Sequence, residues 1–187
     1  KTDGTANGTV LVKDIVPTGG SNPKQFIGMN GTVYFVAFNQ DNVPAFAKGR
    51  EVYQTDGTLS GTNQSTSIYS LGGGAPREIV NHNGVLFISA HNGSHGYELW
   101  KSHGLGMFNV ETTTRVKDIN PYLVINGDRG SNPSNLRSVS QLLFFSATDG
   151  TNGYELWKSD GTSDRTVMVK NINPGAGDSN PANLLNI

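Results

Sequence analysis

The chain has 187 residues, with fourteen lysines and arginines against fifteen aspartates and glutamates, so its formal net charge is −1. That balance leaves no basic field to draw nucleic acid or an anionic bilayer; the absence of cysteine excludes disulfides, zinc thiolates and thiol nucleophiles; and no apolar run approaches the roughly 20 residues of a membrane-spanning helix. Only 16% of residues are charged while glycine alone numbers 24, which argues against a helical protein and for an all-β chain with many tight turns.

In chain order, an Asp3-Gly4-Thr5 turn leads into the apolar run 10–15, and Ser21-Asn22-Pro23 then punctuates the chain. A strand, an Asn30-Gly31 hairpin turn and the strand Val33-Tyr34-Phe35 follow, the Asn-Gly pair being a strong hairpin signal. A long loop, 38–48, precedes Gly49-Arg50-Glu51-Val52-Tyr53-Gln54-Thr55 and the turn Asp56-Gly57-Thr58, after which residues 66–69 read as a short strand. The same order then returns. Gly74-Ala75-Pro76, Asn83-Gly84 and the run 85–88 lead to Gly96-Tyr97-Glu98-Leu99-Trp100-Lys101-Ser102, the degenerate turn His103-Gly104-Leu105 and the run 116–119. A third passage holds Ser131-Asn132-Pro133, the run 142–145, Gly153-Tyr154-Glu155-Leu156-Trp157-Lys158-Ser159, the turn Asp160-Gly161-Thr162 and the run 167–172. Ser179-Asn180-Pro181 and residues 183–187 open a further copy.

The unit is four short strands at a period of roughly 50 residues, the pattern expected of a β-propeller blade. The second strand of each unit is apolar on both faces, as Leu86 and Phe87 illustrate, which predicts a sheet covered on two sides. A β-sandwich would alternate more cleanly and would not repeat in this way. The expected division is residues 1–20 as the last strand of a preceding blade, 21–70, 71–120 and 121–173 as three complete blades, and 174–187 as the first strand of a following one. Terminal repeats need cover, so the array is expected to belong to a larger propeller or an assembly of chains.

The fullest copy, Glu155-Leu156-Trp157-Lys158-Ser159-Asp160-Gly161-Thr162, resembles the ELWxxDGT-repeat (hyalin-like) family of bacterial secreted and surface proteins, and the resemblance covers essentially the whole chain. It implies an extracellular or cell-surface location, and a non-catalytic structural or adhesion role with filament or surface-layer assembly. Copies of the same protein are the expected partners, with carbohydrate as a further one and no membrane insertion. A carbohydrate-binding, lectin-like propeller is the alternative, and the propeller part of a secreted enzyme a third.

Residues present in every unit serve the unit. Glu51, Glu98 and Glu155 are therefore expected to anchor backbone or basic groups, Tyr53, Trp100 and Trp157 to pack between neighbouring units, and Asp56 and Asp160, like Asp3, to cap their own turns. No catalytic residue and no bound cofactor is expected. Calcium would need hard oxygen ligands, for which Asp149 and Asp178 are the available candidates, and His91 and His95 flank a loop that could hold a metal only if both rings converged. Asn7, Asn30, Asn63 and Asn92 head Asn-x-Ser/Thr triplets and are glycosylation candidates. The irregular loops carry Phe38, Phe46, Met107, Phe108, Tyr122, Leu123, Val124 and Ile125, apolar side chains suited to contact a partner.

Overall fold

The computed structural model describes residues 1–39, 49–68, 74–104, 113–122 and 130–185. Among them there are twelve strands and no helix. The first sheet joins β1 (Lys24–Met29), β2 (Thr32–Asn39), β3 (Gly49–Thr55) and β4 (Asn63–Gln64). The second joins β5 (Glu78–His82), β6 (Val85–His91), β7 (Tyr97–Ser102) and β8 (Thr114–Lys117), and the third β9 (Ser134–Val139), β10 (Leu142–Thr148), β11 (Tyr154–Ser159) and β12 (Val167–Lys170). Each is an antiparallel meander in which neighbours in sequence are neighbours in the sheet.

The hairpins close where the turn chemistry allows. Asn30 and Asn83 take φ of 51° and 52°, followed by Gly31 and Gly84 at 78° and 81°, the left-handed pair a two-residue hairpin needs. In the third sheet Ser140 holds the left-handed position at 51°, although Ser-Gln is not a hairpin signature. Asn22, Asn132 and Asn180, with Ala75 in the second unit, share a left-handed φ between 41° and 46° at the entry to each first strand. Residues 179–183 thus repeat the backbone of that entry without joining a sheet.

Alternation along the strands distributes side chains to two layers. Tyr34 and Val36 from the first sheet meet Ile79, Leu86, Ile88 and Trp100 from the second. On the opposite face of the second sheet, Phe87, Leu99 and Val116 meet Leu136, Leu143, Phe145 and Trp157 of the third. The second strand of the middle sheet reads as an apolar run because it is buried on both faces. The first strands also come together, with β5 lying beside both β1 and β9.

Three expected strands differ, and one of them is the first strand of a following blade within 174–187, since residues 174–185 join no sheet. Residues 10–15 form no strand; a single pair, Val10 N to Lys1 O at 2.9 Å and the Lys1 amino terminus to Val10 O at 2.8 Å, repeats the Lys158·Val167 pair of the third sheet. From this run Ile15 packs on Phe35 and Tyr53 at the outer face of the first sheet, while Leu11 stays 79% exposed. The fourth strand of the first unit is only Asn63–Gln64, because Ser65 and Thr66 both turn their N–H groups to the Val52 carbonyl.

Leu86 is fully buried in the first apolar layer while Leu11 is 79% exposed. Leu86→Ala is expected to cost about 2–5 kcal/mol of unfolding free energy, and Leu11→Ala less than about 0.5 kcal/mol. Urea titrations of the two variants check the contrast.

Candidate functional site

The repeated glutamates sit on the third strand of each sheet, opposite Ala37, Ala90 and Ala147, whose small side chains leave room for them. Each carboxylate is buried. Glu98 Oε1 accepts from the N–H groups of Ser131 (2.9 Å) and Asn120 (3.3 Å), and Oε2 from Ile119 N (3.0 Å) and Ser131 Oγ (2.6 Å). Glu155 repeats the set with Ile172 N, Asn173 N and Ser179 Oγ at 2.9, 3.3 and 2.6 Å. Glu51 accepts from Thr66 Oγ1 at 2.8 Å and Gly74 N at 2.7 Å. In all three units the carboxylate therefore ties the end of its own unit to the start of the next.

Environment separates two of these equivalent groups. Burial pushes Glu98 up to about 7 against the pull of its donors. Around Glu155 burial also works against the charge, but the donors from Ser179, Ile172 and Asn173 outweigh it and hold the carboxyl below its ordinary value.

The Asp-Gly-Thr phrases build a second recurrent knot. Asp3, Asp56 and Asp160 each accept through Oδ1 from the backbone N–H and hydroxyl of the threonine two residues on, at 2.7–2.9 Å, and these bonds lower all three carboxyls. Gly4, Gly57 and Gly161 occupy φ of 92°, 86° and 91°, where a side chain would be strained. Around the knots run lysines that cross to the next unit. Lys1 Nζ donates to Gly57 O at 2.9 Å and Lys13 Nζ to Thr62 O at 2.6 Å; their counterparts Lys101 and Lys117 donate to Gly161 O and Thr166 O, both at 2.8 Å.

Tyr53, Trp100 and Trp157 all turn toward the preceding unit, onto Ile15, onto the first sheet and onto the second respectively. Trp100 Nε1 donates to Ala90 O at 3.0 Å.

The remaining candidates are dispersed. Asp149 spends its carboxylate on its own turn, accepting from Thr151 N, Asn152 N and Asn152 Nδ2 at 2.7–2.8 Å; burial opposes its charge, yet these donors prevail and lower it. Asp178 Oδ1 accepts from Tyr154 N at 2.8 Å. His91 Nδ1 accepts from Gly93 N at 3.2 Å, while His95 faces Asp118 at 3.9 Å and Asn92 at 3.3 Å. Among the described residues no three His, Asp or Glu side chains converge as a metal site. Asn7, Asn30 and Asn63 are exposed and Asn92 is half-buried. Phe38 is half-buried with the Arg50 guanidinium 4.1 Å above its ring, and Tyr122 is 60% exposed. Phe46, Met107, Phe108, Leu123, Val124 and Ile125 lie outside the described residues. No helix among the described residues is long and apolar enough to cross a membrane.

What sequence reasoning missed is a cavity between the second and third sheets lined by His82, His103, Gln141 and Arg165. The available signal was the break in the Asp-Gly-Thr phrase at His103. The sequence matches no protein-family model, and no curated protein and no solved structure matches it.

Because Glu98 holds its proton more tightly folded than unfolded, its contribution to stability is full below about pH 4.5 and is lost as pH rises through about 7. Glu98→Gln removes that slope. It also turns an amide N–H toward existing donors at a cost of about 1–3 kcal/mol. Thermal unfolding of both proteins from pH 4 to pH 8 reads the two effects together.

Proposed function

We propose that these units are β-propeller blades of the ELWxxDGT type, and that the chain serves a non-catalytic, extracellular structural or adhesion role in which blades stack on further blades of the same kind. The observation that carries this reading is the recurrence of one junction. The same two lysine-to-carbonyl bonds join residues 1–13 to the first sheet and the second sheet to the third. At the junction between these two, first sheet to second, Gln54 stands where Lys1 and Lys101 stand elsewhere; a contact set reused at alternate junctions supports a one-dimensional stack of like units.

The outer face of the third sheet is equipped for another such junction. Lys158 and Lys170 stand at the positions of Lys101 and Lys117, beside Val167, Val169 and Ile172, which are 36%, 45% and 52% exposed. An apolar groove of about 350 Å3 lies between residues 1–15 and the first sheet, lined by Leu11, Ile15, Phe26 and Phe35 among others. The carbonyls of Gly4 and Thr9, counterparts of Gly57 and Thr62, are the acceptors that a second copy would offer to Lys158 and Lys170. Extracellular placement rests on the family resemblance alone.

Sedimentation velocity over a range of concentrations, with electron microscopy of the concentrated sample, tests the stacking. Head-to-tail oligomers or filaments are expected, and Lys158→Glu with Lys170→Glu is expected to weaken association roughly tenfold, about 1.4 kcal/mol, without altering the fold. A chain that stays monomeric at every concentration would sink self-assembly.

A further inference from the structure

Four residues that break the repeat meet at one place. His82 stands where the other units have Met29 and Val139, His103 where they have Asp56 and Asp160, Gln141 where they have Gly31 and Gly84, and Arg165 where they have Gly8 and Gly61. Though scattered in sequence, they line one cavity of about 480 Å3, together with Lys101 and Asp160. The first junction differs at one point of the corresponding place. There Tyr34 stands at the position of Phe87, and its hydroxyl occupies the space that a Cβ on Gly104 would need. Phe87 lacks that oxygen, and at Gly161, the counterpart of Gly104, its ring edge approaches alone.

The lining is rich in donors. Lys101 spends one N–H on Gly161 O at 2.8 Å, which leaves the ammonium two more. The Arg165 side chain is 78% exposed and approaches Asp160 only through Nε, at 3.6 Å from Oδ2. Asp160, the one acid among the described residues of the lining, has its other oxygen committed to Thr162. His82 is buried and fixed, with Nδ1 2.8 Å from Ser138 Oγ and its ring edge-on to Phe87 at 5.7 Å. His103 and Gln141 add an imidazole and a carboxamide. One lysine and one arginine against one engaged aspartate favour an anion. Val85, Phe87 and Leu142 supply an apolar floor that an inorganic anion would not use, and the volume suits a small organic ligand.

We propose that this cavity binds an acidic saccharide. Its carboxylate or sulfate is taken by Lys101 and Arg165, its ring covers the apolar floor, and its hydroxyls pair with Gln141 and His103. The site lies within a single chain and needs no second copy.

Titration calorimetry of the whole chain with glucuronic acid, glucose 6-sulfate, glucose and sodium sulfate tests this. At least one acidic sugar is expected to bind with a Kd of roughly 1 mM, about tenfold or more tighter than glucose or sodium sulfate, and preference between the two names the acid group. A variant carrying His103→Asp, Gln141→Gly and Arg165→Gly restores residues that other units hold at these positions, so it is expected to keep its fold by circular dichroism and to lose affinity about tenfold or more. The assignment is overturned if neither acidic sugar binds, if glucose or sodium sulfate binds as tightly, or if the folded variant binds unchanged.

Discussion

A buried carboxylate in each Glu-Leu-Trp phrase is the constraint on which the stacking of these sheets depends. Removing a glutamate from water costs several kcal/mol unless donors replace its hydration. Here the donors come from backbone N–H groups and a hydroxyl that belong to the exit of one unit and the entry of the next, Ile119, Asn120 and Ser131 around Glu98 and Ile172, Asn173 and Ser179 around Glu155. The bonds can form only when the chain has already turned from one sheet toward its neighbour. Satisfying the carboxylate and placing the next unit are therefore one event, which explains why the residue recurs in every unit.

The apolar layers and the polar knots divide the work. Leu86, Ile88 and Leu99 supply non-directional burial, which holds the sheets together but tolerates sliding. The lysine-to-carbonyl bonds at the edge are directional, and Lys101 to Gly161 with Lys117 to Thr166 fixes the register of one sheet on the next. On the inner side, Gln25 Nε2 to Arg77 O, Leu136 N to Glu78 Oε1 and Asn135 Nδ2 to Pro181 O do the same for the first strands. These three side chains occupy one position of the repeat, so successive units adjoin through the same place even where the residue type changes from amide to acid.

Much of this was legible in the sequence because turns and two-sided burial leave local signatures. Asn30-Gly31 and Asn83-Gly84 mark hairpins, and Leu86-Phe87-Ile88 marks a strand without a wet face. The third hairpin, at Ser140, is invisible to turn chemistry and follows only from the repeat. The run 10–15 was misleading as a strand, since the same apolar pattern serves a segment that covers a sheet without joining it. The cavity could not be read directly, because His82, His103, Gln141 and Arg165 come from four separate turns or strand ends and only the stacking brings them together.

That convergence follows from how a repeat can acquire a site. Positions such as Glu98, Trp100 and Leu99 are bound into junctions on which both neighbouring sheets rely, so a substitution there disturbs the stack before it can create a ligand contact. The turns are less constrained. Once an aspartate is replaced by His103, the carboxylate-threonine knot is no longer required in that unit, and at Arg165 a position held elsewhere by Gly8 and Gly61, whose missing Cβ makes room for Asp3 and Asp56, accepts a long side chain beside Asp160. Exchanging Tyr34 for Phe87 at the next junction removes the hydroxyl that would fill the same space. Each change is local and leaves the buried carboxylates in place, and together they produce a donor-lined opening at one junction of the stack.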